Sequence, residues 1–432
     1  MHLAETLKPP LRRHHMLSMP IGVIALALPA AAGDLELSLS PSEVAEVTET
    51  SATSATFLDA LKGGESWLKL NYRFEEVDQT GFAKNAHAST LRTALGYRTG
   101  KFGSFQAMLE FEDVSVLGDA AYDSTTNMMT SRPVVADPEG AEVNQVYLSY
   151  FLDDANEARL GRQEIKIDND RFIGNVGWRQ NRQSFDAASW SATQVGGAVD
   201  VYYAFISNVN RVFGDASAVG DQRMESHVLN VSHDVEGWGR ASVYTYLLDY
   251  DTLDAMSTST IGARFDGKHA FAGFDLLYLA ELANQTDAGD NATDLDAGYL
   301  HATLGAKVNA HTFKIGMEVL DGSGAPGDKF TTPLATAHAF NGWADKFLTT
   351  PDTGLADTYL SAGTQVGDVQ LLALYHDFSA DSGGMDYGTE FDLLATYPVN
   401  EDMTVGLKFA DYDADMFATD TTKAWAWIAL SF

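Results

Sequence analysis

The sequence predicts an all-β chain, a transmembrane antiparallel β-barrel of 18 strands with short periplasmic turns and long extracellular loops. Three observations carry that expectation. The first is composition: 432 residues with 60 Asp+Glu against 28 Lys+Arg, a net charge of −32, 37 glycines, 23 Phe, 17 Tyr and no cysteine. The second is strict apolar/polar alternation over stretches of about ten residues, the pattern of a strand with one lipid face and one wet face. The third is a regular exchange of short and long connections between those stretches, ending on a strand whose last residue is Phe432. Acidity of this degree argues against a nucleic-acid partner, which needs a basic face. The absence of cysteine excludes disulfide scaffolds, zinc-thiolate sites and Cys nucleophiles.

The elements follow in order. Arg12-Arg13-His14-His15 precedes an apolar run, 16–32, that ends in Pro29-Ala30-Ala31-Ala32-Gly33. A basic start, a short apolar core and a small-residue exit predict a secretory signal peptide over 1–32. Residues 33–64 are polar and read as a flexible periplasmic segment closing in one short helical turn near 57–64. From 65 to 432 the period is two. Leu68, Leu70, Tyr72 and Phe74 alternate with Lys69, Asn71, Arg73 and Glu75; Phe313, Ile315, Met317 and Val319 alternate with Lys314, Gly316 and Glu318. Strands are expected near 66–76, 88–99, 103–113, 142–151, 156–164, 183–190, 197–206, 224–234, 239–249, 256–265, 271–283, 295–308, 311–320, 357–366, 368–378, 389–398, 402–412 and 423–432. Short connections, among them 266–270, 309–310 and 399–401, fall on one side. Long ones, 114–141, 165–182, 207–223 and 321–356, fall on the other.

Parity places Lys69, Arg73, Arg92, Arg98, Arg159, Arg264, Lys307, Lys314, Lys408 and Lys423 on the inward face, because a cation facing lipid at mid-depth costs about 2–4 kcal/mol. Such charges either stiffen the wall or form an anion-selective ring. Loop 165–182 is dense in Lys166, Arg171, Arg179 and Arg182, with Phe172 and Trp178 as anchors. Folded inward it would narrow the lumen with guanidinium forks that suit carboxylates; packed on its neighbours it would be a latch. Loop 321–356 carries an apolar stripe of Phe340, Trp343 and Phe347, expected of a folded lid or plug. Asp411, Asp413 and Asp415 resemble half of a Ca²⁺ loop but lack its glycine and its final glutamate, so a divalent ion there is the weaker expectation beside a solvated acidic rim. No other cofactor is expected. Enzyme motifs are absent, and His376-Asp377, being adjacent on a strand, point to opposite faces.

Three stretches resemble the alginate-export family of outer-membrane barrels: Gly161-Arg162-Gln163 with 168–181 and Phe185-Asp186-Ala187; Thr332-Pro333-Leu334-Ala335-Thr336 with 340–347; and Tyr375-His376-Asp377-Phe378. Weaker likeness extends over nearly all of 65–432. The resemblance implies an 18-stranded barrel and passage of polyanions through an Arg-lined constriction. The family's long periplasmic turn late in the chain is minimal here, near 399–401, which favours a porin for small hydrophilic solutes, including uronate-type oligosaccharides, over dedicated polysaccharide export. An outer-membrane enzyme or adhesin is the remote alternative. The expected location is the outer membrane of a Gram-negative bacterium. Expected partners are its lipid and lipopolysaccharide, small or anionic saccharide solutes, and the barrel-assembly machinery through Phe432.

Overall fold

The computed structural model describes residues 54–432. The expected signal peptide and most of the polar segment after it lie outside the described residues. A short helix, α1 (Phe57–Lys62), opens the described chain, and Thr56 caps it by accepting from the Asp59 amide. Eighteen strands then form one antiparallel sheet. They are β1 (Glu65–Gln79), β2 (Ala86–Arg98), β3 (Phe105–Val116), β4 (Gly140–Asp153), β5 (Asn156–Gln163) and β6 (Ser184–Val195). Next come β7 (Val199–Asn210), β8 (Asp221–Val235), β9 (Gly239–Leu248), β10 (Thr258–Phe271), β11 (Phe274–Asp287) and β12 (Asp296–Val308). The last six are β13 (His311–Leu320), β14 (Leu355–Val366), β15 (Val369–Ser379), β16 (Asp386–Pro398), β17 (Met403–Ala414) and β18 (Thr421–Ser431).

Each strand pairs with its sequence neighbours, and β18 returns to β1 in the register Leu70↔Leu430, Arg73↔Trp427, Gln79↔Thr421. Closure removes both sheet edges, so the backbone ladders run continuously round the wall apart from a few bulges, such as those at Glu110/Phe111 and Ile206/Asn208. Phe432 belongs to this seam: it exchanges both backbone hydrogen bonds with Leu68, at 3.0 and 3.1 Å. Connections from even to odd strands are short, for example 154–155, 309–310 and 367–368. The long ones, 117–139, 164–183 and 321–354, share the opposite rim. These two ends are called the turn side and the loop side below.

Most strands are longer than the alternation alone predicts, because ladder hydrogen bonds continue past the apolar band. One turn is displaced. Asp266-Gly267-Lys268 reads as a turn, yet β10 runs through it and the hairpin closes at Ala272-Gly273, with Gly273 at φ +98°. Gly267 serves close approach instead of a bend: a Cβ there would lie 2.1 Å from the Trp238 carbonyl oxygen. Phe271 and Phe274 stack across the real turn with ring centroids 5.1 Å apart.

Outward positions are apolar and exposed, among them Leu160, Ile261, Leu282, Leu304, Ile315, Leu360 and Leu407. The inward face carries the charges. Its buried residues include Arg73, Glu75, Arg92, Glu112, Arg264, Glu281, Glu318 and Lys408. A hydrophobic cluster also fills part of the lumen, combining wall residues such as Tyr244, Tyr299 and Trp425 with Phe172, Trp178 and Trp343 from the two long loops.

Candidate functional site

Strand β5 is the shortest of the wall, only 8 residues. The chain leaves the sheet after Gln163 and turns into the lumen. Asp168 and Asp170 adopt left-handed backbone, φ +53° and +63°. That conformation brings the Asp168 carboxylate to Asn230 Nδ2 on β8 at 2.7 Å and to Ser242 Oγ on β9 at 3.0 Å. Phe172 then packs against Tyr244 and Tyr299, with ring centroids 5.3 Å apart in each case. Arg171 donates from Nε to Glu318 on β13 at 2.5 Å and from Nη2 to Asn341 at 3.0 Å. On the far wall, the Gln180 side chain binds Asn71 of β1 and Thr90 of β2. Loop 164–183 therefore crosses the lumen and is fastened to walls on several sides.

Loop 321–354 lies against it. Ile173 and Leu334 form a parallel bridge, the Gly174 amide donates to the Leu334 carbonyl at 3.0 Å, and the Thr336 amide donates to the Asp170 carbonyl at 3.0 Å. Only glycine fits at 174, since a Cβ would meet Thr336 Oγ1 at 2.3 Å. Trp178 is the hub of the contact. It stacks on His338 (centroids 4.8 Å, planes 10° apart) and meets Trp425 and Trp427 edge-on. The Lys408 ammonium sits 4.2 Å from the Trp178 ring and 3.8 Å from Trp343. A desolvated cation on an aromatic face is worth about 2 kcal/mol, so Lys408 fastens both loops to β17. Phe340 lies over Arg171, and Phe347 packs on Phe378, Tyr387 and Phe417.

The cations fall into two groups. Those of the plug are buried and answered by carboxylates. Arg171 pairs with Glu318; Arg179 with Glu75 at 3.2 Å and Asp345 at 2.9 Å; Arg182 with Glu164 at 3.3 Å. Arg73 pairs with Asp137 and Glu75, Arg92 with Glu112, and Lys423 with Asp345. These ion pairs act on the loop groups in the expected directions. Burial pushes the Glu164 carboxyl up, yet Arg182 with Asn175 and Asn144 brings it below its ordinary range. Burial opposes the Asp345 charge, but His338, Lys423 and Arg179 hold that carboxyl well below the usual value. Lys346, half-buried and near Lys423, is pushed down to about 8.

The second group borders open space on the turn side, although Arg264 and Lys307 within it are themselves buried. There a cavity of about 1480 Å³ occupies the lumen beneath the plug. Six basic residues line it (Lys166, Arg240, Arg264, Lys268, Lys307 and Lys314) against four acids, Asp168, Asp170, Asp200 and Asp266. Tyr202, Tyr359, His301, Asn230, Ser232 and Thr303 supply hydrogen-bonding groups and ring surfaces. Within this lining Arg264 is shared between Glu281 and Asp266 at 2.9 and 2.8 Å, Arg240 reaches Asp200 at 2.6 Å, and Lys166 lies 3.6 Å from Asp170.

Of the residues singled out in the sequence, Lys166, Arg264, Lys307 and Lys314 line this cavity, whereas Arg171, Arg179 and Arg182 do not. The loop does fold inward, but its three arginines are spent on carboxylates of the wall and of the two loops, because a guanidinium buried at this depth without a partner would be prohibitively costly. Lys69, Arg98 and Arg159 sit in the turn-side half of the opposite wall, with Arg98 paired to Glu65 and Arg159 to Glu157. Arg240 and Lys268 were missed. Inward parity could have found Arg240, while Lys268 was hidden by the misplaced turn. Among the described residues, no group of three or more His, Asp or Glu could hold a metal ion. Asp411, Asp413 and Asp415 form no such group: Asp411 and Asp413 share one face of β17, Asp415 lies past its end, and Asp411 accepts from Thr422. His376 points inward to Asp357 at 2.9 Å, while Asp377 faces out.

A family model described as alginate export matches residues 67–317. No curated protein matches the sequence. Solved barrels superpose over almost their full length. OccAB4 of Acinetobacter baumannii is 14% identical, with a TM-score of 0.67 over 85% of this chain and 98% of that one. OccK9 (OpdG) of Pseudomonas aeruginosa is 14% identical, with a TM-score of 0.66 over 86% and 99%. OpdK of Pseudomonas aeruginosa with vanillate is 14% identical, with a TM-score of 0.66 over 86% and 99%. At this identity the likeness is one of fold.

Proposed function

The chain belongs to the alginate export family, and on that premise we propose that it is an outer-membrane porin-type channel for small hydrophilic solutes, with a preference for anions set in the turn-side cavity. One observation carries the reading: in a chain of net charge −32, the space beneath the plug is lined by six basic and four acidic side chains. A pore selects by the charges that border the solute's path, and charges farther than a Debye length, about 8 Å at physiological salt, are screened. The acidic exterior then contributes little. Carboxylated sugars of one or a few units suit the cavity, with Lys and Arg for their carboxylates and Tyr202 and Tyr359 for their ring faces. The vanillate in OpdK, itself a small carboxylate, is consistent with this class of solute. Two loops meeting across the lumen speak for short solutes over continuous polymer.

The test is a planar bilayer under a potassium chloride gradient, followed by liposome swelling with glucose and glucuronate. The reading expects a reversal potential on the anion side and faster swelling with glucuronate per unit size. A pore that strongly prefers cations would overturn the anionic assignment; a silent bilayer would overturn the channel itself.

A further inference from the structure

We propose that the two-loop plug is held shut by a neutral-histidine latch at His338, and that protonating this one imidazole releases the plug. The latch is a property of the loops; only its meaning as a gate rests on the channel reading above. His338 lies in the short 3-10 turn Ala337–Ala339 at the centre of loop 321–354. Its Nδ1 is 2.6 Å from Asp345 Oδ1, and its Nε2 is 2.7 Å from Lys408 Nζ. A carboxylate oxygen only accepts, so Nδ1 carries a proton. An ammonium only donates, so Nε2 offers its lone pair. The two partners together select one tautomer of the uncharged ring. Stacked on Trp178, that ring joins the second loop to the first, and through Lys408 to the wall.

A second proton on Nε2 would aim an N–H at an ammonium 2.7 Å away. The carboxylate in contact with the ring, Asp345, is already engaged. Asp345 already receives Arg179 at 2.9 Å and Lys423 at 2.6 Å besides His338. Glu75 of β1 serves Arg179 and Arg73. On β16, Glu390 accepts from the Ala344 amide at 2.7 Å, and Asp392 lies 3.8 Å from His376. Lys346 adds another cation from the loop itself. Burial, reinforced by Lys408 and opposed by Asp345, holds the imidazole well below its ordinary 6.5. The latched state thus binds fewer protons than the released one, so its stability is complete above pH 6.5 and is lost as pH falls through the depressed value.

Hydrogen–deuterium exchange of the full protein in lipid, corrected for the intrinsic pH effect and run from neutral to about pH 4, reads the latch directly. Segments 170–180 and 334–346 should lose protection by about tenfold or more in acid while the strands keep theirs. His338→Gln offers Asp345 an amide N–H and Lys408 an amide oxygen with nothing to titrate, and should keep the loops protected throughout. Lys408→Met removes the ammonium and with it an anchor of both loops, so protection starts lower than in the wild type, but it should not fall further in acid, where a charged His338 pairs with Asp345. Wild-type loops that remain fully protected to about pH 4, or a His338→Gln protein that opens at the same pH as wild type, would overturn the proposal. Loops that switch in a protein silent in bilayers would support the latch and count against the channel reading alone.

Discussion

The loop-side and turn-side halves of the lumen are built from the same residue types and use them differently. On the loop side, Arg171, Arg179, Arg182, Arg73 and Arg92 each meet a carboxylate, and the space between them is filled by Trp178, Trp343 and their aromatic neighbours. On the turn side, Lys268, Lys307, Lys314, Arg240 and Arg264 border a cavity of about 1480 Å³. Guanidiniums, with several donors in a fixed fork, suit the crowded half, where each can satisfy two or three partners. On the turn side Arg240 and Arg264 are paired as well, with Asp200 and with Asp266 and Glu281, but there the paired cations border open space instead of aromatic packing. Positive charge in a pore lining is therefore informative only when its partners are known.

Removing one member of a plug ion pair should give the largest effect. Arg171→Met leaves the buried Glu318 without its cation and Asn341 Oδ1 without its donor, and should cost about 3–5 kcal/mol in urea unfolding from lipid vesicles. The double variant Arg171→Met/Glu318→Leu should recover much of that loss; failure to recover would mean the pair is not the unit that matters. Gly174→Ala should cost about 1–3 kcal/mol, because its Cβ must displace Thr336 and Asp170 where the loops touch, and should loosen both loops. Lys268→Gln and Lys314→Gln, at positions more exposed than Lys307, should each change stability by about 1 kcal/mol or less. A loss as large as that of Arg171→Met would erase the distinction between the halves. Arg98→Gln breaks a partly exposed pair with Glu65 and should cost no more than about 1 kcal/mol.

The wall was legible in the sequence because a barrel strand exposes its two faces to two solvents, and period two records that directly. Eighteen strands, their connections and the inward parity of Lys314 or Arg264 follow from that rule. The turn at 272–273 was not legible, because Gly267 signals a bend and a close backbone approach in the same letter. The plug was half legible. Density of basic and aromatic residues marked 165–182 as special, but the carboxylates that neutralise it come from positions as distant as Glu75, Glu318 and Asp345. Long-range pairing of this kind leaves no local pattern. The same holds for His338, whose significance depends on Lys408, 70 residues away, and on Trp178.

The most direct test of where selectivity resides compares reversal potentials, in one salt gradient, of the wild-type pore, the triple variant Lys268→Gln/Lys307→Gln/Lys314→Gln, and Arg182→Gln. The account predicts a clear shift toward cations in the triple variant, and little shift in Arg182→Gln, whose charge is already matched by Glu164. An unchanged triple variant beside a shifted Arg182→Gln would place the selective charge in the plug and contradict the account.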